Sequence, residues 1–540
     1  MFDSLYQSTA SNNEIDNHRE TMPANYEVFA DIHYINGNYT LALEYYKEAQ
    51  EIFEKITLRI PICLQRSPYH NMRNKVVYFN IFNDVNPSVN IYCLKDLQTL
   101  QLINTNLPIL PDIKNFQNLT SLTIRSDNGA IGRHLPSEFG QLKYLSTLQL
   151  SNIQNLEDLP DDIEYFVRLS SLTLENIPNL SRIPDKSIGK LTELKTLNLT
   201  DLPNLTTIPS TINNFEQLST FEITKTSIKR LNLEKINSLS DLIITFNSLL
   251  QTIEITNMAS LSFIKVQNNS ELSTVNIQNL YYLGRLHILS NTKLISVNIA
   301  NVSNGDILSI ANNPQLITVT LKNISGLRTF ETNSLFNLKS ISFDNIPYLY
   351  NVSIRSTSYL ETVSFIKVPS MRYLDLSGCQ LTTFPESILK LKSLINLIMV
   401  SNQLSTLPST LSSDLPNLKV FNLANNNFQG NMFQPALFYI RELYLSNNLL
   451  TSIYGIQEYK SLNRLELDYN HIGLIPLEIM HLSTTLEILT INYNKLNHIP
   501  YQITNMRSLR SFSATNNPIS IYEQQNILKI FSQSPIKFRI

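Results

Sequence analysis

The sequence predicts an α/β solenoid, a stack of short coils that each add one strand to a long parallel sheet. Three observations predict it. Apolar residues open a unit every eleven positions, at Leu239, Leu250, Leu261, Leu272, Leu283, Leu294, Leu316, Leu327, Leu338, Leu349, Leu360 and Met371, and only Gly305 interrupts the series. Within nearly every unit the order is apolar-x-x-apolar-x-apolar, as in Leu261-x-x-Ile264-x-Val266 and Leu272-x-x-Val275-x-Ile277. Alternation at period two over a few residues marks a strand with one buried face, and strands at fixed spacing bury those faces against their neighbours in a stack. Thirdly, alternate units differ. Asn247, Asn269, Asn291 and Asn313 hold the ninth position of one set, and Leu280, Val302, Ile324, Ile346 and Val368 hold it in the other, so one coil is about 22 residues with strands on two sides.

The asparagine positions define a structural ladder. An amide side chain donates and accepts, so it can satisfy backbone groups where the chain leaves a strand. The series resumes at Asn402, Asn426, Asn448, Asn470, Asn494 and Asn517, with Cys379 in the same place. Thr357 and the coil opening at Leu327 depart from it, and the coils opening at Leu145, Leu169 and Leu194 use Ile153, Ile177 and Leu202 instead.

Leu394-x-x-Leu397-x-Met399-x-x-Asn402-x-Leu404 and Leu462-x-x-Leu465-x-Leu467-x-x-Asn470-x-Ile472 show the full pattern, as does Leu486-x-x-Leu489-x-Ile491-x-x-Asn494-x-Leu496. This resembles the signature of the leucine-rich repeat family, whose units run 20–29 residues. The resemblance implies a horseshoe with a parallel concave sheet, built of roughly 18–20 coils over residues 75–520.

Two kinds of coil are expected. Near both ends the second half carries a proline after an apolar residue: Pro111, Pro136, Pro160, Pro184 and Pro209, then Pro385, Pro408, Pro476 and Pro500. Proline ends regular pairing and can begin a helical turn, so the convex side there should be a short helix or 3₁₀ turn. Between Pro209 and Pro385 these turns give way to Ile253-x-Ile255, Val275-x-Ile277 and Val363-x-Phe365, which predicts a β-rich convex side in the centre.

The termini differ in kind. Residues 1–22 are polar and charged, with no basic start followed by an apolar run, and are expected to be a disordered tail. Residues 23–74 read as a helical hairpin serving as N-cap. Its stretch Gly37-x-Tyr39-x-x-Ala42-x-x-x-Tyr46-x-x-Ala49 resembles a single tetratricopeptide repeat, either a cap or a docking module. Residues 521–540 form the C-terminal cap, with an amphipathic helix from Tyr522 to Phe531 over the last coil's open edge.

Composition restricts the partners. A net charge of −2 lacks the basic stripe that nucleic-acid binding requires, and no apolar run is long enough for a membrane-spanning helix. Cys63, Cys93 and Cys379 are an odd set without paired spacing, which favours a reducing, cytoplasmic location. Six Asn-x-Ser/Thr triplets, at Asn118, Asn179, Asn198, Asn204, Asn301 and Asn323, point instead to an exported or cell-surface protein that binds a host protein or glycan. Their recurrence in an Asn/Ser/Thr-rich repeat favours the first reading. The eight histidines show no metal-ligand spacing, and nucleotide-binding loops and hydrolase motifs are missing, so neither catalysis, cofactor nor metal is expected.

What remains is a protein-binding surface, in a chain expected to be monomeric. Outward positions on the concave sheet are mostly Ser, Thr and Asn. Two groups of long side chains stand out from them, Phe263, Lys265, Arg285 and His287, and then Tyr373, Asp375, Tyr444, Arg464, Glu466 and Asp468. Aromatic residues and arginine are enriched in binding hot spots, so these are the candidate contacts for another protein. The expected function is a non-catalytic scaffold or adaptor.

Overall fold

The computed structural model describes residues 77–84, 91–92, 94–107, 109, 111–125, 131–333, 335–433 and 436–540. The chain divides into two units, Met1–Lys75 and Val76–Ile540. The expected tail and the tetratricopeptide-like hairpin lie outside the described residues.

The second unit is a solenoid. Each coil contributes one strand to a parallel sheet that holds 21 strands among the described residues, from Tyr78–Phe82 to Lys537–Arg539. Register advances by one coil per strand: Phe263 pairs with Asp241 on one side and with Arg285 on the other. Alternation does the rest. In Phe263–Gln267, Ile264 and Val266 point inward and are fully buried, while Phe263, Lys265 and Gln267 face out. Burying one such aliphatic side chain contributes about 1.5–3 kcal/mol. Stacking makes the contribution continuous, because each inward column of Leu, Ile and Val meets its copies in the coils above and below.

The opposite side changes with the sequence as expected. From Arg230–Glu234 to Thr362–Ile366 it is a seven-stranded parallel sheet. Outside that stretch the described elements off the long sheet are short helical turns and one two-stranded pair, Gln429–Gly430 with Leu449–Leu450. Pro136, Pro160, Pro209, Pro385, Pro476 and Pro500 each sit as the residue before a 3₁₀ turn, such as Ser137–Gln141 or Tyr501–Asn505. The edges of the second sheet are tied to these turns. Glu234 N–H donates to Asn213 Oδ1 at 3.0 Å, and Ser387 Oγ donates to the Val363 carbonyl at 2.6 Å. Such ties leave fewer open strand groups for stray pairing.

Gly305, the one break in the apolar series, has a packing cause. A Cβ there would lie 2.9 Å from Ile324 Cγ2, and one on Gly326 would collide with the Gly305 backbone. Two coils approach each other more closely here than leucine allows.

At the C-terminus the helix Ile521–Phe531 forms, with the Ser520 hydroxyl accepting from Glu523 N–H as its N-cap. It packs beside the 3₁₀ turn Tyr501–Asn505, and its Phe531 reaches Phe512 of the last coil. The chain then returns as Lys537–Arg539 and adds a further strand beside Ser511–Ser513. The long sheet therefore runs on past residue 520, a strand too short for the sequence pattern to reveal. Phe512, Phe531 and Phe538 close the interior there, with Phe531 and Phe538 stacked at 3.9 Å.

Candidate protein-interaction face

The ladder side chains are buried and bonded. Asn269, Asn291 and Asn313 each accept, on Oδ1, the backbone N–H of the preceding ladder asparagine at 2.9–3.0 Å. Their Nδ2 groups donate to the Ile244, Val266 and Ile288 carbonyls of the coil before. Asn247 opens the run, taking both N–H and hydroxyl of Thr226. In the C-terminal coils the donor shifts by two residues: Asn402, Asn426, Asn448, Asn470, Asn494 and Asn517 accept from the N–H of Leu381, Leu404, Phe428, Leu450, Ile472 and Leu496. Between the two runs Leu335 is buried without polar capacity, and Thr357 pairs with Cys379 at 2.9 Å. Cys379 is free and buried, and burial pushes its thiol up to about 11. Such a group fills the ladder position and is a poor nucleophile at neutral pH.

These ladders hold the strands rigid, and the outward face of the long sheet is what they present. In the first half its first outward row is hydroxyl after hydroxyl: Thr99, Ser121, Thr147, Ser171, Thr196 and Thr220 sit on successive strands. Long side chains break this background at the two predicted groups.

The first group is contiguous. Phe263 pairs in register with Arg285, and Lys265 with His287. The Phe263 and His287 rings meet edge to face at 6.0 Å. Burial first, then the Arg285 and Lys265 charges, hold the His287 imidazole below its ordinary pKa. Among the described residues neither Lys265 nor Arg285 makes an ion pair, whereas nearby Lys293 reaches Glu271 at 2.7 Å.

The second group divides. Tyr373 and Asp375 lie on one strand, and two further strands, Asn396–Ile398 and Val420–Asn422, separate them from Glu442–Tyr444. Asp375 is 3% exposed; it accepts from Arg355 Nε at 2.7 Å and from Ser377 N–H at 3.0 Å, so its carboxylate serves the fold. Tyr444 donates to Glu442 at 2.6 Å, and burial, with that carboxylate, pushes its hydroxyl up to about 12. Arg464 bonds Glu466 through Nε at 2.8 Å and lies 5.6 Å from the Tyr444 ring centre. Asp468 accepts from Asn492 N–H and from Thr490 Oγ1. The acids of this group each have a bonded neighbour, Arg355 on Asp375, Arg464 on Glu466 and Asn492 on Asp468, whereas among the described residues the cations of the first have no ion-pair partner.

One feature of the other face escaped sequence reasoning. Asn257, Asn279, Asn301, Asn323 and Asn345 all adopt left-handed backbone, with φ of 53–58°. Each of the last four donates Nδ2–H to Oδ1 of the asparagine before it at 2.9–3.0 Å. The donor end, Asn257, meets Glu234 at 3.3 Å. The signal was present as asparagine recurring every 22 residues. Two of the glycosylation-type triplets, at Asn301 and Asn323, are rungs of this ladder.

Among the described residues there is no cluster of three or more His, Cys, Asp or Glu able to hold a metal ion, and no helix long and apolar enough to cross a membrane.

No family model matches the chain. An uncharacterized leucine-rich repeat-containing protein of Schizosaccharomyces pombe is 36% identical over 103 residues, 18% of this chain and 16% of that protein. Receptor-like protein 18 of Arabidopsis thaliana is 29% identical over 168 residues, 25% of this chain and 20% of that protein. The chain thus spans about a fifth or less of the length of these relatives. A solved leucine-rich repeat protein of Leptospira interrogans aligns over 85% of this chain and 93% of its own, at 21% identity and a TM-score of 0.29. With its 22–25-residue coils, parallel sheet and buried asparagine ladder, the chain has the fold of a leucine-rich repeat solenoid, and it is similar over part of its length to a protein named for that repeat.

Proposed function

We propose that the solenoid is a non-catalytic scaffold that binds another protein through the outward face of its long sheet. One observation carries the reading: Phe263, Lys265, Arg285 and His287 project from adjacent strands, and among the described residues the two cations have no ion-pair partner. Lys265 and Arg285 lie diagonally on neighbouring strands, and like charges held close together repel, so a chain gains nothing in stability from this arrangement. A partner that supplies the missing contacts does gain from it.

The test is affinity capture with the full chain, followed by direct binding of the captured protein, once purified. Combined alanine replacement of Phe263, Arg285 and His287, or of Tyr373, Tyr444 and Arg464, is expected to weaken binding roughly thirtyfold, the loss of about 2 kcal/mol typical of a central anchor. Circular dichroism should stay unchanged. Wild-type affinity in both variants would move the site off this face. Deletion of residues 1–57 is expected to leave partner affinity intact, and abolished binding would assign the contact to the N-terminal segment instead.

A cytoplasmic location is part of the same proposal. A free thiol at a ladder position suits a reducing compartment. A mass shift of the native protein on endoglycosidase treatment would favour export instead.

A further inference from the structure

The first group of outward residues carries more information than a generic hot spot, because its charges are of one sign and its neighbours are known. Lys265 lies on the strand Phe263–Gln267 and Arg285 on Leu283–Leu289, in adjacent rungs. The groups facing His287 are Lys265 on the strand before, Arg285 on its own strand and Ser309 on the strand after. Acids stand further off from His287. Asp241 pairs with Phe263, one strand before the cluster, and its carboxylate accepts from Ser240 Oγ at 2.5 Å. Glu331 is one strand beyond Ser309, and Asp306 follows Gly305 at the start of the strand between. Beside the cations the surface turns apolar: Ile307 follows Arg285 in register and is 42% exposed.

We propose that this cluster anchors an acidic segment of the partner protein, with its carboxylates over Lys265 and Arg285 and its apolar side chains on Phe263 and Ile307. The inference rests on the proposed binding role of the long sheet and narrows it to one patch and one chemistry. Arginine offers a planar fork that two carboxylate oxygens can match, and lysine a compact charge beside it. The aromatic and aliphatic neighbours shield these contacts from water, which strengthens them.

The arrangement also predicts a proton linkage. Burial, then the Arg285 and Lys265 charges, hold the His287 pKa below its ordinary value. A carboxylate settling between them cancels part of that field, so the ring binds a proton more readily in the complex. Bound-state pKa then exceeds free-state pKa. Binding therefore strengthens as pH falls through the bound value and levels off below the free value.

The experiment follows the His287 ring by NMR in the full-length protein carrying carbon-13-labelled histidine, with His287→Gln assigning the signal. Poly-L-glutamate is the probe and poly-L-lysine its control. The expected result is a free midpoint below the ordinary histidine value that rises by about half a pH unit or more with excess poly-L-glutamate. Poly-L-lysine should leave it in place. In Lys265→Gln/Arg285→Gln the free midpoint should return toward the ordinary value and the response to poly-L-glutamate should vanish. An unmoved midpoint in poly-L-glutamate, an equal response to both polymers, or an undiminished response in the double variant would each overturn the inference. A captured partner separates this inference from the wider reading. Binding lost in Tyr444→Ala/Arg464→Ala but kept in Lys265→Gln/Arg285→Gln would refute the acidic-segment site and leave the long-sheet face standing. Binding kept in both would end the long-sheet reading as well.

Discussion

Replacing Asn448 by alanine tests the ladder at a point where the cost can be worked out bond by bond. The side chain is 4% exposed. Its Oδ1 accepts from Phe428 N–H at 3.1 Å, and its Nδ2 donates to the Leu423 and Leu445 carbonyls at 3.1 and 3.0 Å. Those three contacts are not lost equally. The Leu423 carbonyl also receives Asn426 Nδ2 at 3.0 Å, and the Leu445 carbonyl also receives Asn470 Nδ2 at 2.9 Å. Each keeps a partner in the variant. Phe428 N–H alone is orphaned, and an orphaned buried donor costs about 1–3 kcal/mol. Urea denaturation should show that loss. Hydrogen exchange at the Phe428 amide should quicken by roughly 5- to 150-fold, the same free energy converted at 1.4 kcal/mol per tenfold. An unchanged midpoint together with unchanged Phe428 protection would show that Asn448 does not hold that amide. Asn448→Asp gives an independent check. It keeps the acceptor but must ionise against two carbonyls, so its folded pKa is expected to rise above the unfolded value of about 3.9. Its stability should then fall as pH climbs from about 4 toward that folded value and stay level beyond it.

Phe343 stacks on Phe365 at 5.2 Å and meets Phe330 edge-on at the same distance, all three fully buried, so Phe343→Ala should cost about 3–5 kcal/mol in urea denaturation. A loss under about 1 kcal/mol would mean that the interior collapses around the gap. Gly326→Ala should destabilise by about 3 kcal/mol, because its Cβ meets the Gly305 backbone, whereas Gly132→Ala, with nothing within 4 Å, should stay within about 0.5 kcal/mol. Equal thermal midpoints for the two would remove the close-approach account of Gly305. At Asn301, with φ of 57°, valine should cost about 1–2 kcal/mol through left-handed strain while glycine is tolerated; matching midpoints would show that the turn relaxes.

The solenoid was legible because its constraint is repeated. An inward residue such as Ile264 must match Leu242 below it and Leu286 above it, so the alternation is enforced coil after coil. The change from turn to strand on the far side was legible for a similar reason, since Pro209 and Pro385 bracket the second sheet. The outward face was legible only in composition. Which long side chains stand alone depends on rotamers and reach. Asp375 reads as exposed in the alternation of its strand, yet Arg355 from the coil before folds over it. Arg285 looks no different in sequence and finds no such partner among the described residues. The Asn257–Asn345 ladder was missed although its period is plain, because asparagine in a polar turn has an ordinary explanation and the left-handed backbone that aligns the amides leaves no mark on the sequence. Lys537–Arg539 was missed because three residues carry too little alternation to distinguish a strand from a tail.

The thiol of Cys379 gives the solenoid a built-in clock. Only thiolate reacts with an alkylating reagent, and this sulfur is both shut away from reagent and reluctant to ionise. Labelling must therefore wait for the coil around it to part. That coil is the seam where the two-sheet stretch, ending at Thr362–Ile366, hands over to coils backed by 3₁₀ turns, beginning at Glu386–Lys390. With Cys63 and Cys93 replaced by serine, the alkylation rate of the intact chain reads how often that seam opens. In an array whose coils touch only their neighbours, openings at one seam need not involve the rest. A protein that clasps the long sheet across the seam would then announce itself by slowing the clock, without any label on the partner.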